Sequence, residues 1–263
     1  MNTPVIACDL DGVIWRGEEP IAGSAEAIHG LQNAGARVAF LTNNSSKTVA
    51  GVVSRLAEVG IQTDPASVIT SAQSAVAMLA ESVSTGARIL ACADAGVVEA
   101  LDVAGYEVVS EGPAEAVVVG WHRNFDFDGL DRASAAVRAG ARFIATNSDP
   151  TYPAATGVLP GAGSIAAAVA TASGRSPEVA GKPHPAMATL VRSRLGPTGV
   201  IVGDRPSTDG AMAIALGWPF ALVLSGIGGN DPDEPIPEPP PALVGIDLAD
   251  LLPGLMGILG FTN

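Results

Sequence analysis

The chain has 263 residues, a formal net charge of −13 and 48% hydrophobic residues. At roughly 150 residues per domain it has room for one to two domains, and its apolar content excludes disorder as the main state. The acidic balance excludes a nucleic-acid coat and a peripheral membrane protein, both of which depend on basic patches.

Taken in chain order, short apolar runs alternate with helical patterns. Strands are predicted over Val5–Cys8, 37–41, Arg88–Cys92, Ala116–Val119, Arg142–Ala145, 199–202 and 220–224. Continuous apolar strands of this kind lie in parallel sheets covered by helices on both faces. A helix is expected over 24–34, with Ser24 as its N-cap and a stop before Gly35. A second is expected over 48–59, with Val49, Val52, Val53 and Leu56 on one stripe and Gly60 as the stop. The repeated alternation predicts an α/β fold, a Rossmann-like doubly wound parallel sheet. The segment 231–241, DPDEPIPEPPP, is too rich in proline for helix or sheet and reads as a stiff surface connector.

Two cysteines, Cys8 and Cys92, cannot build a disulfide framework. Cys8 ends an apolar run and reads as a buried inert thiol, which suits a reducing compartment. The chain opens without a signal-peptide pattern and contains no window of about 18 apolar residues. A soluble cytoplasmic protein is therefore expected.

Chemistry gathers where strands end. The first strand runs into Asp9-Leu10-Asp11-Gly12, and ligands of open parallel sheets bind outside the carboxyl ends of strands. Two carboxylates held this close repel unless a cation or a shared proton intervenes. The second strand runs into Thr42-Asn43-Asn44-Ser45-Ser46, a hydroxyl with fresh backbone N–H groups suited to an anion. Lys182 stands between Gly181 and Pro183, with Pro185 close behind; the prolines fix the backbone, and a fixed Lys is a point charge for phosphate. The strand over 199–202 leads to Asp204, and Asp209 follows five residues later. Each feature alone has an ordinary explanation as a cap, a turn or a solvated charge. Together, four carboxylates against one fixed Lys ask for a divalent cation, and oxygen ligands near phosphate point to Mg²⁺. With three histidines and no cysteine pair at ligand spacing, zinc is not expected.

The four segments DLDGV, LTNNSS, GKPHP and VGDRPSTDG resemble the four motifs of the haloacid dehalogenase superfamily. The 140 residues from Thr42 to Lys182 look like the branch with a large cap inserted there, the NagD-like, p-nitrophenylphosphatase and phosphoglycolate phosphatase group. The segments Gly140–Asp149 and Leu159–Ser164 are similar to that branch as well. Gly210 departs from it, standing where the branch often has an apolar residue. The resemblance implies a catalytic core of residues 1–77 and 179–263 with a smaller α/β cap domain over 78–178. It implies a Mg²⁺-dependent phosphatase of small phosphorylated metabolites. Asp9 would be the nucleophile and Asp11 the general acid and base. The metal would be held by Asp9, the Asp11 carbonyl and Asp204, with Asp209 supporting from behind. Thr42, Asn43 and Lys182 would grip the phosphoryl group, and the turn from Asn147 to Tyr152, with Asn147 and Asp149, would face the site and help to select substrate. Given the acidic net charge, Lys182, Arg205, Arg16 and the metal must form a local positive focus. No nucleic-acid or membrane partner is expected, and a homodimer is compatible with the sequence.

Other readings compete. A phospho-accepting receiver or a phosphotransferase uses the same residue types, and a dehalogenase on this fold would leave Asp11 idle. Gly161-Ala-Gly163-Ser-Ile-Ala166 matches a dinucleotide-loop glycine pattern but lacks a convincing strand before it. The natural substrate stays open among phosphoglycolate, glycerol phosphate, nucleotides, sugar phosphates and pyridoxal phosphate.

Overall fold

The computed structural model describes residues 3–153, 158–228 and 238–261. From β1 (Val5–Cys8) the chain forms a small hairpin, β2 (Trp15–Arg16) and β3 (Glu19–Pro20), then α1 (Ser24–Asn33), β4 (Arg37–Thr42), α2 (Val49–Glu58), β5 (Val68–Thr70) and α3 (Ser71–Ala80). A second run holds β6 (Arg88–Cys92), α4 (Ala95–Val103), β7 (Glu107–Val109), β8 (Ala116–Val119), α5 (Phe127–Arg138) and β9 (Arg142–Ala145). The hairpin β10 (Thr151–Pro153) and β11 (Val158–Pro160), α6 (Ala162–Ser173) and β12 (Glu178–Val179) follow. The last elements are α7 (Pro185–Leu195), β13 (Val200–Gly203), α8 (Ala211–Leu216), β14 (Phe220–Val223), β15 (Leu243–Gly245) and α9 (Leu248–Ile258).

The side chains of β1 show why it is a central strand. Ile6 and Cys8 point into one apolar cluster with α1, α2 and α9, whereas Val5 and Ala7 point into another with α7 and α8. Period-two alternation with apolar residues on both faces is what a doubly covered strand requires. The large sheet has the order β15-β14-β13-β1-β4-β5, and its neighbours pair in parallel. A second parallel sheet, β12-β9-β8-β6-β7, is covered by α3 and α4 on one face and by α5 and α6 on the other. The chain winds away from β1 towards β4 on one side and β13 on the other, so the crevice at β1's carboxyl end is the switch point where such folds bind ligands.

All seven predicted strands form, with end shifts of one residue. β4 extends to Thr42, β13 spans Val200–Gly203, and β14 stops at Val223. The predicted helix over 48–59 is α2, capped by Thr48, whose hydroxyl accepts from the Gly51 N–H. The role expected of Ser24 is overturned. Gly23 is the N-cap of α1, and Ser24 is its first helical residue. The Ser24 hydroxyl donates instead to the Val13 carbonyl at 2.8 Å. A buried carbonyl in the turn after β1 needs that donor, and the helix end forgoes a side-chain cap. Of the proline-rich connector, residues 231–237 lie outside the described residues.

Candidate active site

Asp9 follows β1 directly, and its N–H donates to the Val202 carbonyl at 2.8 Å. The ladder thus extends one residue beyond the strand and fixes the backbone that carries this carboxylate. The chain must then turn sharply. Gly12 has φ +91°, and a Cβ there would lie 2.6 Å from the Asp204 carboxylate; only glycine meets both demands. Thr42 ends β4 and Asp204 follows β13. Asp209 sits in a wide turn over Pro206–Gly210, and its N–H donates to the Arg205 carbonyl at 2.8 Å. Lys182 precedes α7, which starts only at Pro185, as the two prolines require.

These distant positions converge. Lys182 is 2% exposed, and its Nζ donates to Asp9 Oδ1 at 2.8 Å, Asp209 Oδ1 at 2.7 Å and the Leu41 carbonyl at 3.2 Å. All three ammonium protons are engaged. Burial alone would lower the Lys182 pKa, but Asp209 and Asp9 outweigh it and hold the pKa above its ordinary value. Asp9 is pushed well above the carboxylate range by burial, with Lys182 opposing and Asp209, Asp204 and Asp11 adding to the rise. Asp204 rises to about 6, from burial and then from Asp209, against Arg205 and the N–H groups of Ile227 and Gly228.

One carboxylate oxygen from each of Asp9, Asp204 and Asp209 lies within 4.8 Å of the others, and all three residues are buried. Three buried carboxyl groups face one buried ammonium, which pairs with Asp9 and Asp209, so the acidic groups outnumber the cation. The donor set is oxygen only, which suits a hard cation such as Mg²⁺. The residues therefore fit the divalent ion that the sequence asks for. The Asp11 side chain is not part of this cluster; its Oδ1 accepts from Trp15 Nε1 at 3.0 Å.

Asn43 ties the cluster to the second sheet. Its Nδ2 donates to Asp149 Oδ2 and to the Lys182 carbonyl, both at 3.1 Å, and its Oδ1 accepts from the Lys182 N–H at 2.7 Å. Its carbonyl accepts from Asn147 Nδ2 at 2.7 Å and Ser71 Oγ at 2.6 Å. Thr42 Oγ1 accepts from the Asn44 N–H at 2.9 Å. Burial raises the Asp149 carboxyl above its ordinary value, and the Asn43 hydrogen bond opposes that rise.

Above these groups lies a cavity of about 380 Å³, a volume that suits a small molecule. Every residue named as a site candidate except Asp209 lines it, as do Arg16 and Arg205. Tyr152, the end of the turn expected to face the site, lines it too, and residues that the sequence reading did not single out complete the wall, including Trp121, Val158 and Ile227. Trp121 and Tyr152 pack with ring centroids 5.6 Å apart. Burial and then the nearby Asp11 push the Tyr152 phenol up to about 12. The glycine pattern at Gly161 and Gly163 has a packing cause. A Cβ at either position would lie 2.2 to 2.3 Å from the carbonyl oxygen of Asp149 or Ser148. The N–H groups of Gly161 and Gly163 donate to the Pro150 and Asp149 carbonyls, so these two donors at the start of α6 are taken by the loop that precedes β10.

Comparison with known proteins agrees with this geometry. A family profile described as haloacid dehalogenase-like hydrolase matches residues 6–107, and one described as HAD-hydrolase-like matches residues 179–251. A D-glycerol 3-phosphate phosphatase of Mycobacterium tuberculosis is 38% identical, across 92% of this chain and 69% of that protein. A dihydroxyacetone phosphatase of Corynebacterium glutamicum is 34% identical, across 92% of this chain and 89% of that protein. The crystal structure of glycerol phosphate phosphatase from M. tuberculosis in complex with magnesium superimposes with a TM-score of 0.84 and 35% identity, covering 95% of this chain and 76% of that one.

Proposed function

We propose, from the premise that this chain belongs to the haloacid dehalogenase-like hydrolase family, that it is a Mg²⁺-dependent phosphatase of small phosphate monoesters that works through an aspartyl-phosphate. One observation carries the reading. Asp9 stands at a central strand end on the floor of a small-molecule cavity, beside a buried lysine and two more buried carboxylates. The relatives that act on glycerol 3-phosphate and dihydroxyacetone phosphate support a small phosphorylated metabolite as substrate.

Asp9, the Asp11 carbonyl and Asp204 would hold Mg²⁺, with Asp209 orienting Lys182. Bound there, the ion supplies charge neutralisation for the phosphoryl oxygens and the carboxylates. The Asp9 carboxylate attacks phosphorus while the ester oxygen departs with a proton from Asp11. Asp11 then takes a proton from the water that cleaves the acyl phosphate, releasing inorganic phosphate and restoring both carboxyl groups. Thr42, the Asn43 N–H and Lys182 position the phosphoryl oxygens, and Lys182 also holds Asp9 in its line of attack. Phosphoryl transfer asks the protein mainly for such positioning and charge stabilisation. The second sheet, proposed as the cap of residues 78–178, closes the cavity through the turn that carries Asn147 and Asp149 and keeps bulk water from the reaction. A receiver domain needs no such walled cavity, so the cavity favours the phosphatase over that alternative.

The test is phosphate release from a panel of small monoesters with Mg²⁺, with Asp9→Asn as the comparison. The variant is expected to lose turnover by more than about a thousandfold and to show no phosphorylated species by intact mass. Undiminished turnover in the variant would remove the nucleophile assignment.

A further inference from the structure

Trp15 lies outside the strand-end motifs, yet it touches the residue read above as the general acid. It is 3% exposed, and its indole N–H donates to Asp11 Oδ1 at 3.0 Å. The two residues are also joined through the backbone, where the Gly12 N–H donates to the Trp15 carbonyl at 2.7 Å. The indole is itself clamped. The Arg55 guanidinium carbon lies 4.2 Å from the Trp15 ring centroid, and Arg55 Nη2 donates to the Gly17 carbonyl. Arg55 is 8% exposed and comes from the last turn of α2. One side chain from a packed helix therefore holds both the ring and the connection between β2 and β3.

We infer that Trp15 is a positioning residue for Asp11, with Arg55 as its clamp. The inference rests on the phosphatase reading. A carboxyl oxygen that already receives an N–H is a poor place for a second hydrogen. The indole therefore leaves Oδ2 as the oxygen that carries the transferred proton. It also stops rotation of a side chain that lines the cavity, so the acid does not search for its geometry at each turnover. In the step concerned, the Asp9–phosphorus bond forms and the ester P–O bond breaks. The Oδ2 proton moves to the departing oxygen, leaving an Asp11 carboxylate whose Oδ1 still accepts from the indole.

Leaving-group dependence tests this. An alkoxide needs the proton as it departs, whereas p-nitrophenolate leaves without it. The ratio kcat/KM reports the steps up to leaving-group departure and is blind to later hydrolysis of the phosphoenzyme. Two replacements at position 15 separate the N–H from the ring: Trp15→Phe, and 3-benzothienylalanine, which keeps the bicycle and has sulfur in place of the N–H. Both are expected to lower kcat/KM for glycerol 3-phosphate about tenfold and for p-nitrophenyl phosphate by less than about twofold. Equal losses for the two esters in both variants would mark a packing role and overturn the inference, as would an unchanged ratio in an active enzyme. Wild-type protein inert towards both esters with Mg²⁺ would instead overturn the phosphatase reading, and this inference with it.

Discussion

Replacing Asp204 by Asn should make the metal-free protein more stable at alkaline pH while abolishing its function. Asp204 is 5% exposed, and its carboxyl rises from 3.8 to about 6, through burial and then Asp209. A group whose folded pKa is raised contributes stability that is full below its unfolded pKa and is lost as pH rises through the folded value. For Asp204 that window runs from 3.8 to about 6. At about 1.4 kcal/mol per tenfold change in proton affinity, the whole window is worth about 3 kcal/mol. Roughly half of that falls between pH 5 and pH 8. Asn has the same shape without the charge. Its amide oxygen can accept from the Ile227 N–H, which donates to Asp204 Oδ2 at 2.8 Å. In chelator, urea unfolding should therefore show the variant's advantage over wild type growing by about 1.5 kcal/mol from pH 5 to pH 8. Saturating Mg²⁺ should reverse the order, because a ligand that binds only the folded wild type stabilises it by about 2.7 kcal/mol at a hundredfold excess over Kd. A stability difference that does not change with pH, or an equal Mg²⁺ gain in both proteins, would refute the reasoning.

Lys182→Met should destabilise the metal-free protein by about 3–5 kcal/mol, since it leaves the buried Asp9 and Asp209 carboxylates without their shared counter-ion; an unchanged melting temperature would contradict this. Gly163→Ala should raise KM several-fold with a smaller change in kcat, because the new Cβ would lie 2.3 Å from the Ser148 carbonyl and displace the turn that carries Asp149. Steady-state kinetics on any accepted ester checks it, and an unaltered KM would show that the turn does not set binding. Inorganic phosphate should raise the melting temperature with Mg²⁺ present and have little effect in chelator, where the floor of the site is net negative; equal protection in both buffers would show that the protein's own groups suffice for anion binding.

The legible part of the molecule was its strand ends. A strand buried on both faces is a continuous apolar run, so the first polar residue after it marks the sheet's carboxyl edge. Asp9, Thr42 and Asp204 were visible for that reason. Short strands such as β5, with three residues, and β15, also with three, carry too little pattern to stand out. Contacts made across the chain were invisible in principle. Asn43 and Asp149 are 106 positions apart, and Arg55 meets Trp15 only because α2 packs beside the hairpin. The loop after β14 was missed for a different cause. It serves Asp204 through the backbone N–H groups of Ile227 and Gly228, and a backbone donor has no residue type to betray it.

Ser24 shows how a local rule loses to a tertiary demand. Serine before a helix favours the N-cap, a preference worth about 1 kcal/mol. The buried Val13 carbonyl would cost a comparable or larger amount if left without a donor. Val13 lies in the turn that follows Asp9, Asp11 and Gly12, so the hydroxyl that the helix forgoes steadies the segment bearing two of the site's carboxylates. The same ordering of demands governs charge. Lys182 spends its protons on Asp9, Asp209 and Leu41 rather than on the open cavity. On the proposed reading, the positive charge that meets an anionic ester would come from the bound cation and from Arg16 and Arg205, which line the cavity beside Lys182. A net charge of −13 is compatible with an anionic substrate on those terms, because the sign that matters is set within a few ångströms of Asp9 and screening removes most of the rest.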